Sequence, residues 1–106
     1  MSTKQNHKRW RKEFNTACLK RDNNKCVFCD ANTDLDVHHI TDRHEMPNGG
    51  YSPTNGITVC NEHHLMCEEW HSSGHISFVP GYHPNDLYLK INSSYDLAYS
   101  DCENLK

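Results

Sequence analysis

Two sets of residues in this chain have the types and the spacing to do chemistry. Cys26 and Cys29 form a C-x2-C pair, and Cys60 and His63 form a C-x2-H pair after 30 intervening residues. A tight turn lets two thiolates face one cation, and a tetrahedral zinc site needs a second such pair to close. Cys60 at a strand end and His63 in the first turn of a helix supply it, so the two knuckles predict one structural Zn²⁺. Cys67 follows His63 by four residues on the same helix face and is the alternative fourth ligand. The second set is the adjacent pair His38 and His39, Asn55 behind a loop, and His64 at a helix start. An imidazole with its ordinary pKa of about 6.5 can take a proton from water near neutral pH, and it is also a common metal ligand.

Other readings of the cysteines fare worse. A thioredoxin-like redox pair requires a βαβ context that the pattern lacks. A two-Cys two-His zinc finger built from Cys26, Cys29, His39 and His44 has nine residues between its pairs, fewer than the usual ~12, and leaves Cys60 unused. A disulfide framework requires an oxidising compartment. Residues 1–10 contain no apolar signal core, so we expect a cytoplasmic chain whose six cysteines stay reduced. No apolar run reaches the ~18 residues of a membrane span.

The elements that must hold these residues follow from periodicity. Trp10, Phe14, Ala17 and Cys18 recur at helical spacing and predict an amphipathic helix from about residue 7 to 21, ended by Asp22-Asn23-Asn24. Leu35-Asp36-Val37-His38-His39-Ile40 predicts a short strand, residues 41–54 a loop, and Gly56-Ile57-Thr58-Val59-Cys60 a second strand. Asn61 is the expected N-cap of a helix from Glu62 to about His71, closed by Ser72-Ser73-Gly74. Further on, Ile76-Ser77-Phe78-Val79 and Leu87-Tyr88-Leu89-Lys90-Ile91 read as strands in a loosely packed C-terminal extension, residues 75–106. With 106 residues, 35% of them apolar, the chain makes one small α+β domain with a thin core that a metal must staple. Trp10, Phe14, Met66 and Trp70 are the expected core. Tyr82, Tyr88, Tyr95 and Tyr99 are expected to pack the extension, and Cys18 and Cys102 to be structural.

Taken in order, Lys-Arg-Asp-Asn-Asn-Lys-Cys-Val-Phe-Cys, Leu-Asp-Val-His-His-Ile and Asn-Gly-Ile-Thr-Val-Cys-Asn-Glu-His-His resemble an HNH endonuclease of the zinc-knuckle branch. The resemblance spans about residues 10–71 and implies a ββα-metal core, a β-hairpin and a helix around a catalytic cation. It implies that His39 is the general base, that His38 and His64 are metal ligands, and that Asn55 braces the loop and orients the base. Many members carry a histidine four residues after the last motif position; here Glu68 stands there, as an oxygen ligand or with water completing the shell. The cation implied is Mg²⁺ or Mn²⁺, with Zn²⁺ or Ni²⁺ as alternatives, and the reaction leaves 5′-phosphate and 3′-hydroxyl ends on DNA. The likeness extends to small free-standing phage proteins acting in a bacterial host, where a phage or host protein directs cleavage. A zinc-knuckle binding or adaptor module without catalysis is the rival expectation.

Charge is distributed unevenly. Residues 1–25 carry eight Lys/Arg against Glu13 and Asp22, a balance of +6, whereas residues 26–106 carry three against twelve Asp/Glu, a balance of −9. A basic arm before an acidic body suits a polyanion touched mainly by the arm, although a solvated helix face has the same signature. Lys8, Arg9, Arg11 and Lys12 are the candidate phosphate contacts, with Arg43 beside the first strand.

Overall fold

Helix α1 (Thr3–Arg21) has 19 residues and starts earlier than its apolar spacing alone predicts. Trp10, Phe14 and Cys18 stand four residues apart on one stripe and are all buried. Lys20 and Arg21 occupy the last turn, where the helix dipole favours cations. Asn23 and Asn24 then turn the chain away in the left-handed region that asparagine tolerates. The computed structural model describes residues 3–106; Met1 and Ser2, at the front of the stretch that lacks a signal core, lie outside the described residues.

Strand β1 (Leu35–His39) pairs antiparallel with β2 (Gly56–Cys60), in a register that sets Leu35 opposite Cys60 and His39 opposite Gly56. All five residues of β2 are buried, because α1 and the following helix α2 (Asn61–Ser72) pack against this strand. Only His38 of β1 is buried. Gly56 marks the close approach of α1: a Cβ there would lie 2.5 Å from two ring carbons of Phe14 and 2.7 Å from Cys18 Sγ. Asp22, just past α1, accepts the Thr58 backbone N–H at 3.1 Å and pairs with Arg21, tying the helix end to β2. Burial works to raise the Asp22 pKa, but the Arg21 and Thr58 hydrogen bonds outweigh it and hold the carboxyl below its ordinary value.

The connection expected as a loop is a chain of three short 3-10 turns, Arg43–Glu45, Pro47–Gly50 and Pro53–Asn55. Asp42 caps the first and Ser52 the third by accepting backbone N–H bonds from His44 and Thr54. Asn61, expected as the N-cap of α2, is instead its first helical residue; Cys60 holds the cap position without a side-chain cap bond. The Cys60 sulfur faces His63 Nδ1 at 3.2 Å, which commits it to the knuckle instead.

The C-terminal extension departs most from expectation. Residues 76–79 form no strand, and Ile76 is largely exposed. Residues 87–91 fall mostly within a helix, α3 (Pro84–Lys90), followed by α4 (Tyr95–Glu103). His83 and Asp86 make a reciprocal capping box around Pro84 at the first helical position, a local start signal that overrides the apolar pattern read as a strand. Nor is the extension loose: Leu87, Tyr88, Ala98 and Cys102 are buried in one cluster with Ile57 and Val59 of β2. Trp10 and Phe14 belong to the core as expected, whereas Met66 and Trp70 are half-buried. Tyr88 is buried, Tyr82 is half-buried, and Tyr95 and Tyr99 are exposed. Cys18 and Cys102 are core residues. Among the described residues no helix is long and apolar enough to cross a membrane.

Gly56→Ala should destabilise the fold by about 1–3 kcal/mol, the usual cost of overpacking a core, with α1 forced off the hairpin. A lowered denaturation midpoint with unchanged helix content at low temperature is the expected result of chemical melts.

Candidate metal centres

The knuckles bring Cys26, Cys29, Cys60 and His63 together, with all four ligand atoms within 4.8 Å of one another. Cys29 Sγ lies 3.7 Å from Cys60 Sγ, and His63 Nδ1 lies 3.8 Å from Cys26 Sγ and 3.2 Å from Cys60 Sγ. A tetrahedral ion with Zn–S of about 2.3 Å and Zn–N of about 2.0–2.1 Å spaces its ligands about 3.4–3.8 Å apart, so the residues fit zinc. None of the six cysteines is in a disulfide. The Phe28 N–H donates to Cys26 Sγ at 3.4 Å. Burial works to raise the Cys26 pKa, but the backbone donors of Cys60, Phe28 and Cys29 outweigh it and favour the thiolate that a metal needs. The Phe28 ring stacks on His63 at 5.4 Å. Cys67, the alternative ligand, is not part of the cluster. It is buried in the core, where desolvation pushes its pKa up to about 12.

A second cluster joins His38 of β1 to His64 and Glu68 of α2. Glu68 Oε1 lies 3.0 Å from His38 Nδ1 and 3.2 Å from His64 Nε2. The helical spacing of four residues puts His64 and Glu68 on one face, and the hairpin brings His38 up against it. The far nitrogen of His64, Nδ1, is 3.6 Å from Asp36 Oδ2, an ion-pair distance too long for a hydrogen bond. The hydrogen bond from His38, against the effect of burial, holds the Glu68 carboxyl down at about 2. Burial keeps the His38 imidazole below its ordinary pKa in spite of Glu68. The carboxylate oxygen and the two ring nitrogens 3.0 and 3.2 Å from it are placed so that one cation could contact all three. An oxygen and two imidazoles suit a borderline or hard divalent cation, in contrast to the thiolate-rich knuckle.

His39 points across the strand to the other layer. Its ring stacks on Phe14 at 4.7 Å and meets the edge of Tyr51 at 5.2 Å. Burial, with the neighbouring His38 ring, lowers its pKa to about 4. Its Nε2 is buried and has no hydrogen-bond partner. Adjacent strand residues face opposite sides, yet His38 and His39 both line one cleft of about 430 Å³ together with Arg43, His64, Glu68 and His71.

Asn55 is buried and fully bonded. Its amide nitrogen donates to the carbonyls of Thr41 and Gly50 at 3.0 and 3.1 Å, and its oxygen accepts from Thr41 N–H and the Tyr88 hydroxyl at 3.0 and 2.7 Å. The side chain thus clamps both ends of the 41–50 segment, and none of its four hydrogen bonds goes to the His39 ring. Gly50 has to be glycine: its φ is +70°, and a Cβ would lie 2.9 Å from Asn55 Nδ2 and 3.3 Å from the His39 ring.

Sequence reasoning missed three participants. Tyr88 reaches Asn55 from α3, and no local pattern links them. Asp36 stands two residues before His38 on an alternating strand, which placed it on the same face. His71 lies seven residues after His64 on α2 and donates from Nε2 to the His39 carbonyl at 3.0 Å; helical periodicity pointed to it. The basic candidates are Lys8, Arg9, Arg11, Lys12 and Arg43. All five are exposed, and two of them also bond within the chain: Arg11 donates to the Tyr51 hydroxyl and Arg9 to the carbonyl of Lys106.

Purified protein should hold one Zn²⁺ per chain at the knuckle, with Zn–S near the ~2.3 Å typical of thiolate sites when measured by X-ray absorption. Cys26→Ser should lose that ion and melt far below wild type, since metal binding in so small a core is folding energy. Zinc-free protein with an unchanged melting point would contradict the site. Set against family models, curated proteins and solved structures, the chain matches none, so both centres rest on their own geometry.

Proposed function

We propose that this chain is a metal-dependent DNA endonuclease with a ββα-metal, HNH-type core, which hydrolyses phosphodiesters to 5′-phosphate and 3′-hydroxyl ends. The observation that carries this reading is the convergence of His38, His64 and Glu68 on the cleft that a neutral His39 also lines. Hydrolysis of a phosphodiester requires a base for water, a sink for phosphate charge and stabilisation of the leaving oxygen. His39 is the base: its ring is fixed by Phe14 and Tyr51, it is neutral near pH 7, and its Nε2 is committed to no protein partner. His38, His64 and Glu68 would hold a divalent cation, Mg²⁺ or Mn²⁺, with Zn²⁺ or Ni²⁺ also fitting the imidazole pair. Such a cation supplies charge stabilisation at the phosphate and at the departing oxygen. Asn55 is a positioning residue that holds the 41–50 segment, whose Gly50 stands close to the His39 ring.

Lys8, Lys12 and Arg43 grip phosphate, and the acidic remainder of the body is kept from the polyanion except at the cleft. One basic helix offers few groups for reading base edges, so cleavage sites are set by a partner protein or by little sequence preference.

Plasmid nicking with Mg²⁺ or Mn²⁺, against chelator, tests the reading most directly. His39→Ala should slow cleavage by about 100-fold or more, the scale of a general base, while still binding DNA and the catalytic cation. His64→Ala should lose the cation, with partial rescue at high Mn²⁺. Wild type that binds DNA but nicks with none of these cations is instead a binding module.

DNA affinity should fall steeply with salt. Lys8→Glu with Lys12→Glu should reduce the slope of log K against log salt by about 2, as expected for two lost phosphate contacts, without changing the melting point. An unaltered slope would move the binding surface off α1.

A further inference from the structure

A third set of metal-ligating side chains lies beside the cleft, sharing only His71 with its wall. Glu45, His71 and His75 can each offer a ligand atom within 4.8 Å of the others, and His75 Nε2 lies 3.2 Å from Glu45 Oε2. The three come from separate places: the first 3-10 turn, the last turn of α2, and the bend that follows it. Together with Trp70 and His83 they line a cavity of about 220 Å³.

Two features bear on how the rings are set. His71 donates from Nε2 to the His39 carbonyl at 3.0 Å, which leaves Nδ1, buried and without a hydrogen-bond partner, as the nitrogen that can face an ion. A backbone carbonyl on the far nitrogen is the usual way a metal-binding imidazole is oriented. His75 has φ +68°; of the seven described non-glycine residues at positive φ, the other six are Asn or Asp, the types that adopt it most readily. Histidine is also among the types found in this region, so what the conformation contributes is a fixed place for the ring. His75 is held there by its N–H bond to the Trp70 carbonyl and by stacking of its ring on the Trp70 indole, at 4.9 Å and 4° between planes.

We infer that Glu45, His71 and His75 form a second divalent-cation site for a borderline transition metal such as Zn²⁺, Ni²⁺ or Co²⁺. Two imidazoles and one carboxylate with an open position for water are a donor set such ions favour over Mg²⁺ or Ca²⁺. The ion clips the Arg43–Glu45 turn to the end of α2, and through His71 it braces the backbone of His39. The site does not depend on the nuclease reading, because its ligands are separate from His38, His64 and Glu68.

Ni²⁺ titration by calorimetry of the full, zinc-loaded chain carrying His64→Ala, which disables the neighbouring cluster, tests it. One Ni²⁺ per chain should still bind, and the Trp70 indole N–H signal should broaden in NMR spectra as it does. Adding His75→Ala should abolish that equivalent. Glu45→Gln, at an exposed position that leaves the fold untouched, should remove it at concentrations that saturate the parent. Absence of Ni²⁺ binding in the His64→Ala chain, or its persistence in both the His75→Ala and the Glu45→Gln chains, would overturn the site.

Discussion

The register of one short hairpin sets the positions on which both principal clusters depend. A two-stranded antiparallel pair is marginal in water on its own, yet here it must hold Cys60 at one end and His38, His39 and Gly56 at the other. It is held from both sides. The Trp10–Phe14–Cys18 stripe of α1 rests on it where Gly56 lacks a side chain, and α2 continues from Cys60 and packs back across both strands. A slip of one residue would turn every side chain of β1 to the other face, taking His38 away from Glu68 and putting His39 in its place.

Neighbouring residues serve different centres because backbone geometry separates them. On α2, successive residues are about 100° apart around the axis. His63 therefore faces the thiolates, while His64 faces Glu68 and Asp36. On β1, alternation sends His38 toward α2 and His39 toward Phe14 of α1. The donors sort in the same way. Cysteine sulfurs gather at the knuckle, and imidazoles with a carboxylate gather at the cleft, donor sets that would suit different ions.

Asn55 ties the hairpin to the rest of the chain. Buried amides are costly unless every hydrogen bond is made, and this one makes four. Three of them close the 41–50 segment on itself, and the fourth comes from Tyr88. The C-terminal helices thus complete the inner shell of the central segment, and Leu87, Ala98 and Cys102 share its apolar cluster. A chain with so small an apolar fraction needs these residues to cover β2.

Local signals were enough to reveal α1, both strands, α2 and the knuckle ligands. Their periods and spacings are short-range: a turn between Cys26 and Cys29, a stripe of period near four, and two runs of β-formers with Gly and Pro between them. The same short-range logic placed His64 and Glu68 on one face. It failed where the outcome depended on residues far apart in sequence. Residues 87–91 alternate as a strand would, but the capping box at His83 and Asp86 and the cover that β2 requires make most of them helical. Cys67 had the right spacing for the knuckle, and only the packing of α2 turned it into the core. The Tyr88–Asn55 bond, the His71 bond to the His39 carbonyl and the meeting of Glu45 with His75 span separations that no pattern encodes. Sequence alone determined which ligands this protein owns, because spacing along one turn or strand is covalent geometry. Tertiary structure decided which of them converge closely enough to hold an ion and which are turned into the core, because both depend on burial and on partners brought in from elsewhere in the chain.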